Sequence, residues 1–153
     1  MISMTTDQQR KIVSIARSFI GVPYKYGATP EEAPRTFDCS SFTQYCMKQV
    51  GINIPRSSIL QGADAGGVEI ELAQNYSNLE PGDLVFFRGQ RGYYHDSLFP
   101  GRELTYIGHV GIYAGNGNIV HCHHIHKDSG VHEESIERLS RDPRYCPALV
   151  RRF

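Results

Sequence analysis

RTFDCSSFTQYCMKQVG, residues 35–51, reads as an amphipathic helix with a cysteine in its first turn. Asp38 is a good N-cap, because a short carboxylate can accept hydrogen bonds from the first free N–H groups. Phe42, Tyr45, Cys46 and Val50 recur at helical spacing, and Gly51 offers a C-terminal stop. A helix N-terminus concentrates unpaired N–H groups and positive partial charge, which favours a thiolate over a thiol. Cys39 is therefore a candidate reactive thiol, expected to alkylate fastest of the four cysteines. The plainer alternative is a small buried hydrophobe, the commoner fate of a free cysteine.

Upstream, Thr5 or Thr6 can cap a first helix, with Gln8 or Gln9 completing a capping box. Ile12, Val13, Ile15, Ala16, Phe19 and Ile20 give that helix an apolar face before Gly21 and Pro23 end it. Residues 24–36 read as a loop, 58–63 as a short third helix, and 64–80 show no clear period. From Pro81 the pattern turns to strands. They are expected at 83–88 (DLVFFR), at 106–113, at 118–123 beyond the Gly115-Asn116-Gly117 turn, and at 131–136. Residues 89–105 have no period and read as a surface loop. Helices first and strands after predict an α+β fold, with N-terminal helices packed on a C-terminal antiparallel β-sheet, in a single domain over 1–153.

Sixteen basic and sixteen acidic residues cancel, and no basic stripe appears. Neither nucleic acid nor an anionic membrane is expected as a partner. The N-terminal MISMTTDQQRK has no apolar signal-peptide core, and no apolar run reaches membrane-spanning length. The expectation is a chain that works in the cytoplasm, has been trimmed, or leaves the cell by another route. Cys39, Cys46, Cys122 and Cys146 form no CxxC pairs and are too sparse for a disulfide scaffold, so free thiols are expected.

A nucleophilic cysteine needs a base to take its proton and a third group to orient that base. His109 opens the strand HVGIY, and His121 ends the strand NIVH. Pairing outward from positions 113 and 118 sets Val110 opposite His121 and Gly111 opposite Val120. His109 then lies almost level with His121, and the two imidazoles are expected to meet on one face of the sheet. A rival reading takes HCHHIH, residues 121–126, as a metal tract, since Cys122, His124 and His126 would share a strand face. The preferred expectation is that these residues border a cleft or are solvated, with no metal and no cofactor. His95 and His132 read as surface residues. Arg56 is either a cleft cation facing substrate carboxylates or an ordinary surface charge.

GVPYKYG (21–27), FDCSSF (37–42), PRSS (55–58), GDLVFF (82–87) and HVGIYAGNGNIVH (109–121) together resemble the motifs of the NlpC (P-sixty) family, bacterial papain-like cysteine peptidases that cut cell-wall peptides. The resemblance runs from about residue 9 to the terminal ALVRRF. It implies a papain-like fold, with Cys39 as nucleophile, His109 as general base and His121 as the polar orienter. It also implies that Tyr24 helps hold the oxyanion beside a backbone N–H at the start of the Cys39 helix. By the same resemblance Asp38 and Ser40 hold the free amino end of the peptide, and Arg56 and Ser57 join them as substrate-binding candidates. The implied activity is hydrolysis of peptidoglycan stem peptides at the γ-D-glutamyl–diaminoacyl bond, through a thioester and without a cofactor. The implied partner is a peptidoglycan peptide or muropeptide, and the chain is expected to be a monomer. The alternatives are a related cysteine amidase or acyltransferase, a metal-binding Cys/His protein, and a catalytically silent wall-binding module. Two positions depart from the family pattern: Ser41 stands where Gly is usual, and Gly27-Ala28 replaces Gly-Gly. The 89–105 loop is longer than a minimal member needs and is expected to wall the cleft.

Overall fold

The caps foreseen in the sequence start both long helices in the computed structural model, which describes residues 3–88, 93–94, 96–100, 106–124 and 129–153. Helix α1 (Thr6–Ser18) begins with a capping box in which Thr5 Oγ1 accepts from Gln8 N–H and Gln8 Oε1 accepts from Thr5 N–H. It buries Ile12, Val13 and Ala16. Ile20, expected on that face, lies beyond the helix end and is half exposed. Helix α2 (Cys39–Gln49) also starts with a capping box. Asp38 Oδ1 accepts from Ser41 N–H at 2.8 Å, and Ser41 Oγ accepts from Asp38 N–H at 2.9 Å. Ser41, the departure from the usual glycine, thus has a structural use. A short α3 (Ser58–Gly62) is capped by Ser57.

Six strands form one antiparallel sheet. In chain order they are β1 (Val68–Ile70), β2 (Leu84–Arg88), β5 (His109–Gly115), β6 (Asn118–His123), β7 (Gly130–Ser135) and β8 (Cys146–Arg152), in spatial order β1-β8-β2-β5-β6-β7. The near-continuous apolar run of β2 follows from covering on both faces. Leu84 and Phe86 join Phe42, Met47, Val110 and Val120 in the core beneath α1 and α2. Val85 and Phe87 join Tyr113, Ile119 and Tyr145 in a smaller cluster on the other face, closed by α4 (Ile136–Leu139).

Three sequence readings are amended. Strand β1 lies in the segment without a period, and three residues at a sheet edge are too few to show one. The strand expected over 106–113 is broken at Gly108. Tyr106–Ile107 (β4) pairs instead with Tyr93–Tyr94 (β3) in a separate two-stranded sheet. The 89–105 segment is therefore not wholly loop: besides β3 it holds a 3-10 turn at Asp96–Leu98 and the buried Phe99. Residues 89–92, His95 and residues 101–105 lie outside the described residues.

Candidate active site

The hairpin does not pair as expected, and the difference is what builds the site. Ile112 pairs with Val120 and Tyr113 with Ile119, whereas Gly115 pairs with Asn118. This irregularity shifts the ladder by one residue from the expected Val110–His121 and Gly111–Val120 pairs. In the expected register His109 and His121 would have pointed to opposite faces, because one residue of slip inverts a strand. The shift brings them together, with His109 Nε2 2.7 Å from His121 Nδ1. Gly111 lies in the space between. A Cβ there would sit 2.5 Å from Ile119 Cδ1 and 2.9 Å from His121 Cβ.

The chain of contacts continues to a residue that sequence reasoning missed. His121 Nε2 lies 2.8 Å from Glu134 Oε2 on β7. On that strand His132 pairs with His121, which puts Glu134 two residues along on the same face. Only the β6–β7 register could have revealed it. His121 is fully buried, and His109 is packed edge-on against Tyr145 at 5.1 Å. Burial holds both imidazoles well below their ordinary pKa, with the neighbouring histidines adding to the effect. Both rings are therefore neutral. The Glu134 carboxylate accepts, so His121 Nε2–H donates to it. His121 Nδ1 then accepts from His109 Nε2–H. That leaves the Nδ1 lone pair of His109 free to act as a base.

Cys39 is partly exposed at the start of α2, where the nearby N–H groups of Val110 and Ser40 favour its thiolate. Val110 adjoins His109, so the thiol lies at the head of the strand that carries the base. Among the described residues no hydrogen bond joins Cys39 to His109 itself. Burial pushes the Cys39 thiol up to about 11, and the Asp38 carboxylate adds to the shift. The sequence expectation of a thiolate stabilised by the helix terminus is corrected: desolvation outweighs that field. The other thiols are also unpaired, with Cys46 and Cys122 buried and Cys146 exposed.

A cleft of about 730 Å³ opens over the thiol, bordered by Tyr24, Asp38, Ser40, Arg56, Ser57 and Gly108. Tyr24 is held by a bridge to Phe37 and stacks on His124 at 5.4 Å. Burial raises its pKa, so it stays a neutral O–H donor. Arg56 donates to Asp38 Oδ2 at 2.6 Å, to Ser40 Oγ at 2.8 Å and to the Ala28 carbonyl at 2.8 Å. Much of its hydrogen-bonding capacity thus goes into fixing the cleft wall. Ser57 caps α3 while facing the same cleft. Among the described residues, the members of the rival metal tract do not converge. Cys122 faces the helices, where its sulfur donates to the Phe37 carbonyl at 3.3 Å. His124 bonds Ser129, and His126 lies outside the described residues. His132, read as a surface residue, is partly buried within the sheet, opposite His121.

The NlpC/P60 family model matches residues 21–149. The chain belongs to the NlpC/P60 family. It is 36% identical over 130 residues to a protein of Corynebacterium glutamicum named "probable endopeptidase", covering 84% of this chain and 48% of that one. It is 36% identical over 133 residues to the gamma-DL-glutamyl hydrolase of Bacillus subtilis, covering 86% of this chain and 26% of that one. The chain thus spans about half, or less, of the length of these relatives. The NlpC/p60 domain of the peptidoglycan hydrolase SagA superposes with a TM-score of 0.66 at 27% identity, covering 94% of this chain and 97% of that chain. The helices-on-antiparallel-sheet layout is that of NlpC/P60 domains, as the α+β papain-like expectation requires.

Proposed function

We propose that this NlpC/P60 chain is a cysteine endopeptidase that hydrolyses peptidoglycan stem peptides at the γ-D-glutamyl–diaminoacyl bond. The observation that carries the reading is the continuous line Glu134–His121–His109, whose last member opens the strand that runs past the cysteine of the cleft through the adjoining Val110. The peptidoglycan hydrolase SagA and the gamma-DL-glutamyl hydrolase among the relatives support the substrate class. The near-complete mutual coverage with the SagA domain supports reading residues 1–153 as one catalytic domain.

In this reading Cys39 Sγ attacks the scissile carbonyl as its proton passes to His109 Nδ1. The neutral Tyr24 hydroxyl and an N–H of the first turn of α2 receive the developing oxyanion. His109 returns the proton to the leaving amine, and a thioester remains on Cys39. Water, deprotonated by the same His109 nitrogen, then hydrolyses it. Asp38 faces the free amino end of the peptide, held in place by Arg56 and Ser40. The test is to incubate the protein and Cys39→Ala with intact sacculi and with purified stem peptides, and to identify new termini by mass spectrometry. Release of a new amino terminus on the diaminoacyl residue, absent with Cys39→Ala, is expected. Cleavage at another bond, or cleavage that survives Cys39→Ala, would overturn the reading.

A further inference from the structure

The side of His121 that faces away from His109 is built like a metal site. His121 and His123 stand two residues apart on β6 and share a face, their rings stacked at 4.5 Å and 19°. Glu134 on β7 meets both, with its Oε2 2.8 Å from His121 Nε2 and 3.5 Å from His123 Nε2. One ligand atom from each of the three lies within 4.8 Å of the others. Two imidazoles and one carboxylate with an open fourth position are the donor set of catalytic zinc sites. Both histidines are buried, whereas the Glu134 side chain is 29% exposed, which gives an ion a route in from solvent. A further imidazole, His132, lies 4.8 Å from His123, and its buried Nε2 has no hydrogen-bond partner among the described residues.

We infer that His121, His123 and Glu134 form a site for one zinc-like divalent ion, and that filling it switches the peptidase off. The second half rests on the function proposed above; the first does not. The switch follows from counting protons. A metal on His121 Nε2 needs the lone pair of that nitrogen, so the single proton of the neutral ring moves to Nδ1. His121 Nδ1–H then donates to His109 Nε2, which must become an acceptor. The one proton of His109 is displaced to its Nδ1, the atom required to receive the thiol proton. Each ring keeps one proton throughout, and the ion never touches Cys39. The occupied site therefore holds the base in the wrong tautomer.

The binding arm uses Cys39→Ala protein, stripped with EDTA and titrated with zinc by calorimetry. One ion per chain is expected, with affinity at least ~10-fold weaker when His123→Gln is added. Cobalt in the Cys39→Ala protein should show d–d absorption without a thiolate charge-transfer band. Absence of binding to this variant, or such a band, would overturn the site whether or not His123→Gln folds. The activity arm uses stem-peptide cleavage. Zinc should inhibit the wild type, EDTA should restore it, and His123→Gln should retain turnover and resist zinc. Equal inhibition of both would overturn the switch. If no peptide is cleaved under any condition, the proposed function fails, while the binding arm still decides the metal site.

Discussion

The division of labour between the two histidines can be tested by giving each position the same replacement. His109→Gln removes the group placed to receive the thiol proton, and general acid–base catalysis contributes roughly 10²–10⁴-fold. His121→Gln is milder. A carboxamide has an acceptor and a donor spaced much like the imidazole nitrogens, so it can accept from His109 Nε2–H and donate to Glu134. It thereby replaces both contacts, at 2.7 and 2.8 Å. His121→Ala replaces neither. It strands a buried His109 donor, which costs about 1–3 kcal/mol, or roughly 5- to 150-fold in rate. The expected order of kcat/KM on a purified stem peptide is wild type, His121→Gln, His121→Ala, His109→Gln. The two Gln variants should differ by at least ~10-fold, or roughly 1.4 kcal/mol of transition-state stabilisation. EDTA is included throughout, and circular dichroism confirms folding. Equally dead Gln variants would refute the scheme, and a more active His109→Gln would require the base and orienter to be exchanged.

Burial sets the Cys39 thiol near 11, so its alkylation by iodoacetamide should rise about tenfold per pH unit between roughly pH 7 and 9. A plateau near neutrality would instead reveal a preformed thiolate–imidazolium pair. In the same peptide maps the exposed Cys146 should label before Cys39, reversing the sequence expectation, and the opposite order would contradict it. Arg152→Ala should cost about 3 kcal/mol, because it leaves the buried Asp83 carboxylate without the two 2.8 Å bonds it receives from Arg152. Calorimetry should show Tm lower by roughly 6–12 °C, and an unchanged Tm would refute the estimate. Gly111→Ala should destabilise by about 1–3 kcal/mol and depress turnover of the protein that remains folded, since the new methyl displaces His121. Full turnover in the folded fraction would show that His121 does not need that space.

What the sequence discloses here is what depends on near neighbours. Thr5 with Gln8 and Asp38 with Ser41 are contacts three residues apart, so the helix starts can be read directly. The Gly115–Gly117 turn is equally local. Register is not. The bulge after Tyr113 adds one residue to one strand, and nothing in GIYAGNGN specifies it. That residue decides whether His109 and His121 share a face. Glu134 was hidden for the same reason, because it enters only through the pairing of β7 with β6.

The thiol shows how two correct local arguments can be ranked by magnitude. A helix N-terminus favours a nearby anion by about 0.3–1 kcal/mol. Moving the thiol from 9.0 to about 11 disfavours the thiolate by roughly 2–3 kcal/mol. Desolvation wins, and the capping carboxylate of Asp38 works in the same direction. A neutral thiol gains little from the helix terminus until a base removes its proton. The base must then be neutral, buried and in one tautomer, and a lone strand histidine meets only the first two conditions. His121 and Glu134 supply the third, since each link fixes where the proton of the next ring resides. The demand for that line of residues therefore follows from the burial of the sulfur. A variant that solvated Cys39 without moving it should depend less on His121, so the rate cost of His121→Ala measured in the two backgrounds should differ. Identical costs would show that the line serves something other than the proton.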